Sequence, residues 1–80
     1  MLETKDSVGV DAAFWGTKIY PLRFTWNGRR YEVKRITMKF ERKNAGRKYL
    51  CFAVDTGGML AELAFDRTDL QWRLNGQSCM

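Results

Sequence analysis

The sequence predicts an all-β domain, and three observations carry that prediction. Apolar and polar residues alternate with a period of two from Leu22 to Leu74. Glycine-containing turn signals interrupt that alternation at Asn27-Gly28, Asn44-Ala45-Gly46 and Gly57-Gly58. The pairings set by the last two turns independently place Leu50, Phe52 and Val54 on one apolar face, which a one-residue slip would expose. Helix is disfavoured throughout this stretch, where glycine recurs and the period is wrong for it.

Taken in order, the first hairpin is the plainest. A type I′ turn needs positive φ at both central residues, which Asn27 and Gly28 accept. Trp26 then faces Arg29, Phe24 faces Tyr31 and Leu22 faces Val33, while Arg23 meets Glu32 and Thr25 meets Arg30 on the polar face. Asn44-Ala45-Gly46 reads as a three-residue loop with Gly46 in the left-handed position, so Lys43 opposes Arg47. The inner pairs become Phe40 with Leu50, Met38 with Phe52 and Ile36 with Val54. Gly57-Gly58 as a two-residue loop sets Val54 against Ala61, Phe52 against Leu63 and Leu50 against Phe65. A turn through Arg67-Thr68-Asp69-Leu70 sets Phe65 against Trp72 and Leu63 against Leu74.

Tyr31 and Val33 are odd-numbered inward positions, whereas Ile36, Met38 and Phe40 are even. The phase changes at Lys34-Arg35, which predicts a β-bulge there. The expected architecture is therefore a five-stranded antiparallel meander, strongly bent, as an SH3-like or partly open small barrel. Residues 1–13 read as a flexible or partly ordered N-terminal arm, 14–76 as a single β-domain and 77–80 as a C-terminal tail. Val8 to Trp15 reads either as a ragged arm or as one helical turn, and Phe14 to Tyr20 is a candidate edge strand, with Pro21 marking a break at that edge. The outer face near Tyr49, Cys51, Ala53, Leu60 and Ala64 is too apolar to stay wet, and Phe14 and Trp15 are the candidates to cover it.

Composition narrows the function. The chain has 80 residues, of which 45% are hydrophobic and 14% aromatic, enough for one packed domain and too apolar for a disordered chain. There is no histidine, which removes imidazole bases and every His-containing zinc site, and the two cysteines cannot form a four-thiolate site. No metal and no cofactor is expected. Ser7 and Ser78 lack an activating base, and Cys51 falls mid-strand where its thiolate is disfavoured. Gly57-Gly58 is a turn without a following helix, not a phosphate loop. Asp66 and Asp69 suit turn hydrogen bonding, and Glu62 is expected to pair with a base such as Lys39 or Arg73. The chain reads as non-enzymatic.

The first residues are charged and contain no apolar signal segment, and the longest apolar run, Tyr49 to Val54, is far shorter than a membrane span needs. A cytoplasmic monomer with reduced Cys51 and Cys79 is expected, with no membrane partner. The net charge is +5. The excess lies between Arg29 and Lys48, where Glu32 and Glu41 are the only acids. Such a stripe suits phosphate neutralisation, with Arg30, Lys34, Arg35, Lys39, Lys43, Arg47 and Lys48 as the candidate nucleic-acid contacts. The same charges would also guard exposed strand edges. The alternative is a protein-interaction adaptor that uses Phe14, Trp15 and Tyr49 around an apolar outer patch.

The phrase Phe24-x-Trp26-x-Gly28-Arg29-x-Tyr31-x-Val33, followed by Tyr49, Gly58, Glu62-Leu63, Asp66 and Trp72-x-Leu74, resembles a family of small bacterial β-domains. A similar segment closes polymerase-like proteins of the error-prone DNA-repair type. The resemblance spans roughly Pro21 to Leu74 and implies an accessory β-module near DNA, with no activity and no functional residues to carry over. Phe40 stands where that pattern usually has Trp, and an Arg of the pattern is replaced around Cys51.

Overall fold

The structure, a computed structural model, describes the backbone from Leu2 to Cys79 and side-chain surroundings for residues 8–78. It is all-β and antiparallel, as the alternation requires, but the strands divide between two sheets. The eight strands are β1 (Leu2–Ser7), β2 (Gly9–Trp15), β3 (Lys18–Trp26), β4 (Arg29–Glu32), β5 (Arg35–Asn44), β6 (Arg47–Asp55), β7 (Met59–Asp66) and β8 (Gln71–Cys79). The larger sheet runs β1-β8-β7-β6-β5 and the smaller β2-β3-β4. The segment expected to be an arm thus supplies β1 and β2, with β1 paired to β8, and β8 reaches into the expected tail. Pro21 does not end a strand. It lies inside β3 beside a bulge, where a missing N–H is tolerated.

The phase change at Lys34-Arg35 is a corner between sheets, not a bulge within one strand. The Val33 amide donates to the Leu22 carbonyl at 3.0 Å, in the smaller sheet. One residue later the Lys34 amide donates to the Asp55 carbonyl at 2.8 Å, in the larger sheet. A second corner lies at Val8, whose amide reaches the Trp72 carbonyl at 3.3 Å between β1 and β2. Strands that switch sheets at corners are how a two-layer sandwich turns without closing its ladder into a barrel.

The core lies between the layers. Leu50, Phe52, Val54, Ala61, Leu63, Phe65, Trp72 and Leu74 line the larger sheet, and Ile19 and Phe24 come from the smaller. Trp72 packs at a tilt against Phe65 at 4.9 Å and Phe52 at 5.8 Å between ring centroids. Full burial of side chains such as Phe52 or Leu63 contributes about 1.5–3 kcal/mol each.

Three of the four registers follow the turn chemistry. Trp26↔Arg29 and Phe24↔Tyr31 hold in β3–β4, Phe52↔Leu63 in β6–β7, and Phe65↔Trp72 in β7–β8. The β5–β6 register departs from expectation near the turn. Its loop is the two residues Ala45 and Gly46, both at positive φ (52° and 80°), so Asn44 opposes Arg47. Phe40 therefore pairs with Cys51 and Met38 with Ala53, on the outer face, until a bulge between Ile36 and Met38 restores Ile36↔Val54.

That shift accounts for the apolar outer face. Phe40 and Arg42, not Phe14 and Trp15, cover it. The Arg42 guanidinium lies 5.0 Å from the Phe40 ring centroid and donates to both Glu62 oxygens at 3.1 and 3.2 Å. Asn75 donates to the same carboxylate at 3.0 Å, so Glu62 finds Arg42 and Asn75 in place of Lys39 or Arg73. Cys51 is fully buried beneath them.

Candidate nucleic-acid interface

The β2–β3, β5–β6 and β7–β8 turns all lie at one end of the molecule. Beyond the Val8 corner, β2 leaves β8 to follow β3, and a cleft of about 470 Å³ opens there. Its floor is apolar, made by Ile19, Leu50 and Phe65. Phe14 and the Gly16-Thr17 turn form one wall, and Arg67 and Leu70 form the other. Phe14 is 68% exposed and Leu70 is 70% exposed, so both present apolar surface to solvent.

The cations come from the same faces that build the floor. Lys48 lies two residues before Leu50 on β6, hence on the same side and about 6.6 Å along the strand. Arg67 follows Phe65 by the same interval and lines the cleft. Lys43 stands directly opposite Lys48, whereas Lys18, directly opposite Trp15, lies on the face of β3 turned away from the cleft. Like charges opposed across a strand pair repel. Among the described residues no ion pair reaches Lys43, Lys48, Lys18 or Arg67. Glu41, which opposes Leu50, is the acid on this side of β5.

The hairpin's other cations are placed differently. Arg35 donates to Asp55 at 3.1 Å, and Arg47 donates to Asp66 at 2.7 Å and to Asp69 at 2.5 Å. Lys39 sits over the Phe52 ring at 5.9 Å and covers the core edge. Arg30 pairs with Thr25 near the Asn27-Gly28 turn, and Lys34 packs toward Gly57 at the far corner. Those two lie at the opposite end, since β5 alone, at ten residues, is about 30 Å long. The expected seven-residue stripe is thus dispersed, and of its members Lys43 and Lys48 share the core-facing side of β5–β6 with Leu50.

The Arg47 contacts fix the geometry of this end. Asp66 is almost fully buried and accepts from the Thr68 and Asp69 amides as well as from Arg47. Burial alone would raise its carboxyl. The Thr68 amide, Arg47 and the Asp69 amide outweigh that and hold it below the ordinary 3.8. Arg47 is held well above its usual range, first by its bond to Asp69 and then by Asp66. The tip of β5–β6 is thereby tied to the β7–β8 turn, where the Leu50↔Phe65 register continues to Lys48 beside Arg67.

The alternative aromatic set is not one patch. Phe14 points into the cleft, and Trp15, 79% exposed, follows it in the strand and so points away. Tyr49 is half-buried on the outer face of the larger sheet, opposite Arg42. Arg67 and Leu70 were not singled out by the sequence. Leu70 did carry a signal, because a large apolar residue inside a polar turn has no local reason to be there; it adopts φ 56°.

The Cys51 thiol is pushed up to about 11, first by burial and then by the Glu62 carboxylate. Among the described residues no group of three or more His, Cys, Asp or Glu could hold a metal, and no helix is long and apolar enough to cross a membrane. No family model, no curated protein and no solved structure matches the chain.

Proposed function

We propose that this chain is a non-enzymatic β-module that binds nucleic acid at the end where the cleft opens. The observation that carries the reading is the opposed Lys43–Lys48 pair, which no ion pair among the described residues reaches, near Arg67 and an apolar floor. A protein that opposes two lysines gives up a few tenths of a kcal/mol, which an anion bound between them would restore. The net charge of +5 supports the same class of partner. Phosphates lie against Lys43, Lys48 and Arg67, with Arg30, Lys34 and Arg35 remote from them. The contacts are to the backbone and carry no base readout.

Mixed-sequence oligonucleotides titrated over a range of salt test this reading. Three contacts on a single strand give a log–log slope of about −2, so affinity should fall about twentyfold between 50 and 200 mM salt. Absence of binding at about 50 mM salt overturns it. The exposed Phe14, Trp15 and Leu70 favour a second reading, a protein adaptor. Under that reading, binding would be nearly independent of salt.

A further inference from the structure

We infer that β2 pairs with β2 of a second copy of this chain, joining two three-stranded sheets into one of six strands. This is independent of the nucleic-acid reading. Among the described strands, β1 and β5 edge the larger sheet, and β2 and β4 edge the smaller. An open strand edge invites another chain unless something blunts it. β5 carries a bulged residue, Thr37, and the cations Arg35, Lys39, Arg42 and Lys43. β1 breaks register between Glu3 and Asp6. β4 has four residues, of which Arg29, Arg30 and Glu32 are charged. β2 has none of these devices. Its seven residues contain no proline, lysine or arginine, and the residue bulged in the β2–β3 ladder, Leu22, belongs to β3. Its one charge, Asp11, is held by Arg23 at 3.4 Å.

The register suits a second copy. The Val8 amide points away from β3, to the Trp72 carbonyl. Amides of a strand point alternately to its two sides, so those of Val10, Ala12 and Phe14 also point away from β3. No strand pairs with that side of β2 among the described residues. Antiparallel pairing about Ala12 sets Ala12 against Ala12 of the second copy and Val10 against its Phe14, each pair exchanging two backbone bonds. On the other face Trp15 lies across from Gly9, where an added side chain would meet nothing within 4 Å, and Asp11 lies across from Ala13. No like charges stand directly opposed, and an aromatic beside an edge glycine is a favoured cross-strand pair. Phe14 and Trp15 are both largely exposed. Over two copies they offer roughly 600 Å², which with the paired backbones approaches the roughly 1,000 Å² that a specific interface needs.

Sedimentation equilibrium of the intact chain without nucleic acid tests this, at about 0.15 M salt, where the net charge of each copy is screened. A dimer is expected at about 100 μM chain, and a monomer at that concentration overturns the inference. Ala12→Pro removes both central bonds of the pairing. The amide it deletes faces away from β3, so the fold should survive, checked by circular dichroism, while the dimer is lost. A dimeric Ala12→Pro variant overturns the pairing. Phe14→Lys, at an exposed position, should raise the dimer dissociation constant about tenfold, and an unchanged constant also overturns it. Met38→Lys, exposed on the β5 edge, should leave the dimer unchanged. A loss there equal to that of Phe14→Lys overturns the assignment to β2.

Discussion

Two tight turns with the same backbone conformation, Asn27-Gly28 and Ala45-Gly46, differ in how openly the sequence declares them. Asn27 and Gly28 adopt φ of 56° and 77°, Ala45 and Gly46 of 52° and 80°. The first pair is the composition a type I′ turn asks for, and its hairpin has the register that composition implies. The second puts alanine where a left-handed backbone costs an ordinary residue about 1–2 kcal/mol. The chain accepts that cost because the resulting register seats Phe40 over Cys51 and Arg42 on Glu62. Contacts between distant strands outrank local turn preference. The functional consequence is large. A three-residue loop would turn Lys39 and Lys43 to the outer face, whereas the observed register brings Lys43 beside Lys48 on the core-facing side.

The largest expected effect tests the part of the molecule both hairpins share. Phe52→Ala should cost about 3–5 kcal/mol in denaturant unfolding, since Phe52 is fully buried against Trp72 and capped by Lys39. A loss below 1 kcal/mol would remove the two-layer core. Next comes the tie between the β5–β6 tip and the β7–β8 turn. Asp66 and Asp55 both sit below their ordinary 3.8, Asp55 chiefly through the Gly57 amide despite its burial. Their contribution is complete above that value and is lost as pH falls through the lower folded values. Asp66→Asn should therefore destabilise at neutral pH and flatten the acid limb of the stability profile; an unchanged limb would contradict the contacts.

Smaller effects separate the two turns. Ala45→Asn gives the second turn the composition of the first and should stabilise by about 1 kcal/mol, with the register unchanged. A loss of stability would mean that Ala45 is not left-handed. Lys43→Glu should also stabilise, by about 0.5 kcal/mol, because it replaces repulsion across the strand pair with attraction. It should weaken oligonucleotide binding at the same time. Both properties moving down together would remove the reason for proposing that the lysine pair is kept for a ligand.

Much of the fold was legible in the residues. Alternation and glycine-bearing turns identified the β3–β4 and β6–β7 pairings, and alternation with the polar turn at Arg67–Leu70 identified β7–β8 from Leu63↔Leu74 to Phe65↔Trp72, beyond which a bulge shifts the register. The odd-to-even shift at Lys34-Arg35 marked a real discontinuity, but phase alone does not distinguish a bulge from a corner. β1 and β2 were obscured because Leu2 to Ser7 is polar and pairs only with the distant β8. Of the site, Phe14, Lys43 and Lys48 could be named from composition. Their meeting with Arg67 and Leu70 could not, since it depends on the bulge between Ile36 and Met38 and on Arg47 reaching across to Asp66 and Asp69. Neither contact has a local signature.

Salt dependence of single-strand binding, measured for two double variants, tests the central claim most directly. Lys43→Ala/Lys48→Ala removes the opposed pair, and Arg30→Ala/Lys34→Ala removes as much charge at the opposite end. The first should reduce the log–log slope by about 1.4 and the second should leave it unchanged. Equal reductions from both would show that the positive charge acts diffusely over the surface and that the cleft is no binding site.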